Sequence, residues 1–160
     1  MSNDIRIQAS YEIDARPEAI YNVIADYRVG HQAILPRPAF EEMIVEEGGF
    51  GAGTVIRLRI RVFGKAYHYH QRVTEPEPGH IIQETDIDTG QLTRFFIDPL
   101  NNGQRTRVTI ASEFPAQSKT FIFFERILHH LVTKRLFNIE LRQLEAYVKT
   151  QDTMQAVGNA

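Results

Sequence analysis

The sequence of 160 residues contains 42% hydrophobic and 24% charged residues, which is typical of a single soluble globular domain and excludes a disordered, collagen-like or coiled-coil chain. Eighteen basic and twenty acidic residues give a formal net charge of −2, whereas domains that act on nucleic acid are strongly basic. The absence of cysteine excludes disulfides, thiol catalysis and thiolate metal sites. No apolar run approaches the ~20 residues that span a bilayer, and the N-terminus lacks the apolar core of a signal peptide, so we expect a cytoplasmic protein without an integral membrane segment.

The first part of the chain is predicted to form one strand and two short helices. Apolar and polar residues alternate over Ile5–Ile13, as in a half-buried strand. Pro17 suits the first turn of a helix, and Ile20–Tyr27 carries its apolar stripe. A second short helix is predicted over Val29–Leu35, because two prolines follow it.

The middle of the chain, from Phe40 to about Phe114, is predicted to be almost entirely strand. Turn signals divide it into six antiparallel strands, and they lie at Gly48–Gly53, Gly64–Lys65, Pro76–Gly79, Thr89–Gly90 and Asn102–Gly103. Residues 118–150 contain no glycine or proline and predict a helix of about 45–50 Å. The order of one strand, two short helices, six strands and one long helix indicates an α+β domain.

The hairpin at Gly64–Lys65 separates its side chains into two faces. A two-residue loop there pairs Val62 with Tyr67 and Ile60 with Tyr69. The apolar face must point to the core, because a one-residue slip would bury arginines. This face consists of Ile56, Leu58, Ile60, Val62, Tyr67, Tyr69, Gln71 and Val73. The opposite face is predicted to be solvent-exposed and consists of Arg57, Arg59, Arg61, His68, His70 and Arg72.

The hairpin at Asn102–Gly103 carries a strong type I′ signal. The turn pairs Ile97 with Val108 and Phe95 with Ile110, and these four side chains are expected to face inward.

The strand Ile81–Ile87 can be aligned in two ways. A two-residue loop after it places Glu84 beside Phe95, whereas a three-residue loop places Glu84 opposite Arg94. The second alignment avoids a buried carboxylate and is therefore preferred.

The long helix carries two apolar stripes on roughly opposite sides. The first consists of Phe124, Ile127, Leu128, Leu131, Val132, Leu136 and Ile139, and the second of Phe137, Leu141, Leu144 and Val148. The second stripe packs either on the Ile20–Tyr27 helix, which is favoured, or on another copy of the chain, so the protein is a monomer or a homodimer. Residues 1–150 are predicted to form one domain, and residues 151–160, which lack periodicity, a flexible tail.

The chain resembles the Bet v 1-like, START-domain superfamily, specifically its bacterial polyketide cyclase/dehydrase and lipid-transport branch. The resemblance covers about residues 5–150 and rests on the order and spacing of Ala15–Asp26, Gly51–Thr54, Arg72–Pro76 and the long helix. It implies a helix-grip fold, in which a curved seven-stranded antiparallel sheet wraps around the long C-terminal helix and encloses a cavity. The superfamily shares no catalytic motif, so the fold alone does not specify an activity.

Three motifs resemble known sites but lack necessary parts. His68 and His70 share a strand face, but arginines surround them and no third metal ligand is evident. Gly48–Thr54 is rich in glycine but lacks the lysine and the following helix of a phosphate-binding loop. The arginine stripe lacks interleaved aromatic residues for RNA. We therefore expect no metal, no cofactor and no nucleic acid.

A small hydrophobic ligand between sheet and helix is the best-supported partner, because apolar walls with a few polar groups are typical of ligand pockets. The predicted ligand-binding residues are Ile56, Leu58, Ile60, Tyr67, Tyr69, Gln71, Phe95, Ile97, Val108, Ile110, Phe124, Leu128 and Leu131. A binding or transport protein for an aromatic or lipid-like molecule is the first hypothesis. A cyclase/dehydrase-type enzyme, with Glu84 as candidate acid, is the second, and a regulator that binds protein through its sheet is the third. An inward ionisable group would favour the enzyme, a wholly apolar cavity the carrier, and a filled cavity the regulator.

Overall fold

The computed structural model describes the backbone of residues 5–114 and 123–158 and the side chains of residues 5–114 and 129–158. The elements in chain order are β1 (Ile5–Ile13), α1 (Pro17–Ala25), α2 (Gly30–Ile34), β2 (Phe40–Glu47), β3 (Val55–Val62), β4 (Lys65–Glu77), β5 (Ile81–Asp86), β6 (Leu92–Leu100), β7 (Arg105–Phe114) and α3 (Phe123–Gly158). The predicted α+β order is confirmed. The strands form one antiparallel sheet in the order β1-β7-β6-β5-β4-β3-β2, with α3 as the long helix of a helix-grip fold.

The sheet keeps the two predicted faces of the β3–β4 hairpin, although its register differs by two residues. Ile60 pairs with Tyr67, and Leu58 pairs with Tyr69. The turn consists of Phe63 and Gly64, which both have positive φ angles, of 49° and 78°. Two such residues form a type I′ turn, but a phenylalanine is rarely found in this conformation, so the sequence did not indicate it. A shift of two residues preserves the face of every side chain.

The arginine face is exposed and is covered by ion pairs from β2. Glu41 lies 2.7 Å from Arg59 and 2.6 Å from Arg61, while Glu46 contacts Arg57 and lies 2.8 Å from His70. The predicted exposure is confirmed for the four arginines and His68, and His70 is half-buried beside Glu46. This face is the convex surface of the sheet.

The solid part of the core lies where β1, α1 and α2 meet the second half of α3. Its most deeply buried side chains are at most 1% exposed, and they include Ile13, Ile20, Ile24, Ile34, Leu141 and Leu144. The second stripe of the long helix therefore packs within the chain, as the favoured alternative predicted.

The β6–β7 register is also as predicted, with Ile97 opposite Val108 and Phe95 opposite Ile110.

The long helix continues to Gly158, whereas the sequence predicted a flexible tail from residue 151. The segment 151–158 is mostly exposed, so few tertiary contacts order it. Once a helix has nucleated, each further residue adds a hydrogen bond at little cost, and no proline stops it here. The predicted start of this helix at residue 118 lies outside the described residues.

Candidate ligand cavity

A cavity of about 350 Å³ lies between the concave face of the sheet and the first half of α3. Several predicted ligand-binding residues line it, and these are Leu58, Ile60, Tyr67, Tyr69, Gln71, Phe95 and Ile110. Ile56, Ile97 and Val108 face the same way but are fully buried in the core instead. Hollow and solid regions thus share one face of the sheet.

The helix presents to the cavity a face that matches the predicted first stripe in part, since Val132 and Leu136 belong to that stripe and line the cavity. Leu131 is 59% exposed, so its predicted interior position is wrong, and the side chains of Phe124 and Leu128 lie outside the described residues. The helical residues that line the cavity are His129, Val132, Thr133, Leu136, Phe137 and Glu140. Successive residues rotate by about 100°, which directs Leu131 away from the centre of this face.

The cavity has an exposed mouth and a buried inner end. Along β4 its lining passes from exposed Lys65 through half-buried Tyr67 and Tyr69 to buried Gln71, a span of roughly 20 Å. Along α3 it passes from half-buried His129 to buried residue 140, roughly 16 Å. An occupant that enters between Lys65 and His129 therefore passes Tyr67 and Tyr69 before it reaches the polar groups inside.

Aromatic rings surround the mouth. The ring of His129 meets those of Phe114 and Tyr67 edge-on, with centroids 5.3 and 6.5 Å apart. The Nζ atom of Lys65 lies 5.1 Å from the Tyr67 ring centroid. Burial, the nearby Tyr67 and Asp86 together raise the pKa of Tyr69 to about 12, so this phenol keeps its proton and can donate a hydrogen bond to a ligand.

Glu84 faces the cavity, which contradicts the preferred alignment of its strand. It pairs with Thr93 rather than Arg94 and is only 6% exposed. The reason lies in the loop, where the Asp86 carboxylate accepts hydrogen bonds from the backbone N–H groups of His70 and Thr89, at 2.9 and 2.8 Å. These bonds stabilise a four-residue loop, which is longer than the two-residue and three-residue loops proposed from the sequence. Glu84 therefore places a buried carboxyl group in the interior, although the preferred alignment predicts none there.

Glu84 belongs to a buried cluster with Tyr27 and His31. The Tyr27 hydroxyl donates to Oε1 of Glu84 at 2.8 Å, and His31 Nε2 lies 3.6 Å from the same oxygen. The imidazole stacks on the Tyr27 ring, with centroids 4.4 Å apart. Its Nδ1 donates to the carbonyl of Ile24 at 2.7 Å, because a carbonyl can only accept. In a neutral imidazole Nε2 is then an acceptor.

Local hydrogen bonds hold this cluster in place. The backbone N–H of Tyr27 donates to the Gly49 carbonyl at 3.0 Å, and Gly49 has a φ of 131° that favours glycine. Asp26 accepts from the backbone N–H groups of Val29 and Gly30 at 3.2 and 3.3 Å, which fixes the start of α2. The glycine-rich segment is therefore a structural loop that supports α1 and α2.

The pKa of Glu84 is raised by burial, an effect that His31 and Tyr27 partly oppose. The pKa of Tyr27 is raised well above its usual value, first by burial and then by Glu84. Two facing acceptors repel, so the position of Glu84 beside Nε2 of His31 also favours a proton on Glu84. Both residues line the cavity, so this proton is within reach of an occupant.

Glu140 is a second buried acid, which the sequence reasoning missed. It is 3% exposed, its Oε1 has no partner among the described residues, and the same holds for Oε1 of Gln71. Burial, and then the charge of Glu84, raise the pKa of Glu140 well above its usual value. The sequence does contain a signal for this buried position. Glu140 lies one helical turn from Leu136 and one from Leu144, and therefore on the side of the helix where these two apolar residues lie.

Solved structures of the same fold match nearly the whole chain. KanY protein is 23% identical, with a TM-score of 0.79 over 92% of this chain and 99% of that chain. Zhui aromatase/cyclase from a Streptomyces species is 18% identical, with a TM-score of 0.73 over 92% and 94%. A START superfamily protein from Mycobacterium smegmatis is 16% identical, with a TM-score of 0.70 over 91% and 98%. These similarities establish the helix-grip fold of the Bet v 1-like and START proteins.

Sequence comparisons add nothing to this, since no family model and no curated protein matches the chain. Among the described residues, no group of three metal-ligating side chains is present. No helix in the described ranges is both long and apolar enough to cross a membrane.

Proposed function

We propose that this protein binds or transports a small, mainly apolar molecule of aromatic or lipid-like character in the cavity between the sheet and α3. The observation that carries the proposal is the hollow interior, because protein cores are normally packed to crystal density. Walls of an empty cavity lose their dispersion contacts. An occupant restores those contacts.

The lining suits a ligand with an apolar body and one polar end. Leu58, Ile60, Phe95 and Ile110 form an apolar wall, while Gln71 supplies a buried amide whose oxygen has no hydrogen-bond partner among the described residues. Apolar area contributes affinity and a few polar groups set orientation in such pockets. The open interior does not support a regulator that acts only through its sheet surface.

Titration with 2-acetonaphthone, an apolar aromatic ketone, tests the binding function. We expect saturable binding at one site, and Gln71→Leu should weaken it by about 0.5–3 kcal/mol, because the ketone oxygen loses the amide N–H as a hydrogen-bond donor. Gln8→Leu makes the same substitution on the exposed face of β1 and should leave affinity unchanged. Native mass spectrometry of gently purified protein would identify any ligand carried from the cell. Failure of the ketone to bind, together with no carried ligand, would overturn the proposal.

A second candidate is a cyclase/dehydrase-type enzyme that acts in the same cavity. The inward position of Glu84, 3.6 Å from His31 Nε2, favours it, because an acid and a base that share a proton beside a substrate can accept and return protons. Tyr27 would orient Glu84 through the hydrogen bond from its hydroxyl.

Exchange of the methyl protons of bound 2-acetonaphthone in D₂O separates the enzyme from the carrier. A base would remove a methyl proton, the electron pair would pass into the enolate, and a deuteron would then return to carbon. We expect NMR to detect exchange at least about a hundredfold above the protein-free rate, and Glu84→Gln should abolish it while binding persists. Exchange at the protein-free rate with the ketone bound would exclude this candidate for such ketones.

A further inference from the structure

The inner end of the cavity contains two buried acids, of which only Glu84 lies beside a basic side chain, His31, among the described residues. Glu84 and Glu140 both line it and are at most 6% exposed. Among the described lining residues, Lys65 is the only lysine or arginine, and it is exposed at the mouth. A buried carboxyl group normally has a partner, and Glu84 has Tyr27 and His31, so Glu140 is the acid that a group supplied from outside can pair.

Two buried acceptor atoms, on side chains that line this space, make the same point independently. Oε1 of Glu140 and Oε1 of Gln71 have no hydrogen-bond partner among the described residues, and both side chains line the cavity at 3% and 4% exposure. Buried acceptors are rarely left unpaired. A group that donates several hydrogen bonds would satisfy them, whereas a carboxylate or phosphate can only accept.

We propose that the inner end of the cavity is a binding site for a protonated amine on an apolar, aromatic body, with the Glu140 carboxylate as counter-ion and the Gln71 amide oxygen as second acceptor. The inference rests on the proposed binding function and specifies its ligand class. An ammonium group has three donors and one positive charge, which matches two free acceptors beside acids. The same site disfavours anionic ligands such as fatty acids.

Binding of the amine is linked to protons. Glu84 on β5 and Tyr27 after α1 lie close enough to Glu140 to interact with its charge. The other titratable groups near this site that line the same cavity are His31 on α2, Tyr69 on β4 and, nearer the mouth, His129 on the same helix as Glu140. Glu140 has a raised pKa because of burial and Glu84. A cation beside it lowers that pKa, so Glu140 releases its proton when the amine binds.

Three probes of one skeleton test the charge preference, namely 1-(2-naphthyl)ethylamine, neutral 2-acetonaphthone and anionic 2-naphthoate. Calorimetric titration at neutral pH should show the amine binding at least about tenfold more tightly than the naphthoate. Glu140→Gln, which keeps the shape and removes the charge, should reduce this ratio to about twofold or less. Glu145→Gln is the matched control, since Glu145 lies on the same helix, outside the cavity, and contacts Tyr11 and Lys149.

The wild-type protein supplies a second readout that needs no variant. Titrations in two buffers of different ionisation enthalpy should show release of up to about one proton per bound amine and none per bound ketone. If the ketone binds but the amine shows no advantage over the naphthoate, or if the wild-type advantage survives Glu140→Gln, the amine site is overturned and the binding function stands. If none of the three probes binds, the amine site is overturned, and if the purified protein also carries no ligand, the binding function fails with it.

Discussion

The two halves of the molecule are built on one sheet and one helix, yet one is solid and the other hollow. Around Leu141 and Leu144, α1, α2 and β1 close on α3, and the most deeply buried side chains there are at most 1% exposed. Around Leu136 and Glu140 the same helix faces a cavity of about 350 Å³. The solid half can therefore carry most of the stability, which leaves the hollow half free to keep polar groups unpaired for a ligand.

The largest expected effect tests this division directly. Leu144→Ala, in the solid half, should lower the free energy of unfolding by about 2–5 kcal/mol, because it creates a cavity among fixed neighbours. Leu136→Ala makes the same change beside an existing cavity and should cost less, because fewer contacts are lost. Urea denaturation measures both. Equal losses at the two sites would show that the two halves are packed alike.

A smaller effect concerns the buried acids of the hollow half. Folding raises the pKa values of Glu84 and Glu140 above the ordinary glutamate value of 4.5. As the pH rises above that value, these two groups keep their protons in the folded state but lose them in the unfolded state. The free energy of unfolding therefore falls as the pH increases. Glu140→Gln should remove one such group and stabilise the protein at pH 8 by about 1–3 kcal/mol, with a smaller gain at pH 5. Denaturation of both proteins across this range measures the difference. A gain that does not grow with pH would contradict the assignment.

The smallest effect is expected on the convex face, which belongs to neither half. Arg59→Ala removes an exposed pair with Glu41 at 2.7 Å, and Glu41 keeps Arg61 at 2.6 Å. Exposed pairs contribute about 0.2–1 kcal/mol and are screened by salt. Thermal unfolding at low and high salt should show a small loss that shrinks as salt is added. A loss of stability as large as that expected for Leu144→Ala would show that the ion pairs of this face contribute as much to stability as the solid core does.

The sequence determined the faces of the sheet more reliably than its loops. Alternation assigned Leu58, Tyr69 and Gln71 to the concave side even though the register was two residues off, because a shift of two keeps the face. Glu84 was misplaced because a side-chain cap, from Asp86, decides the length of its loop. Such caps depend on tertiary geometry that periodicity does not contain.

The cavity itself could not be located from periodicity. Ile56 and Leu58 share one face of β3, but the first is fully buried in the core and the second lines the cavity. Alternation reports only that both point inward. On α3, neighbouring residues point in directions about 100° apart. A small error in the position of the apolar stripe therefore predicts an interior position for Leu131 and overlooks Glu140.

The hollow half has a thermodynamic consequence for the protein in the cell. A molecule that binds only the folded state stabilises it in proportion to the logarithm of its concentration, by about 2.7 kcal/mol at a hundred times the dissociation constant. Since the cavity walls contribute little packing of their own, the proposed ligand would act as a missing part of the core. The lifetime of the chain would then follow the supply of its ligand, so that the amount of folded protein reports how much of that molecule the cell contains.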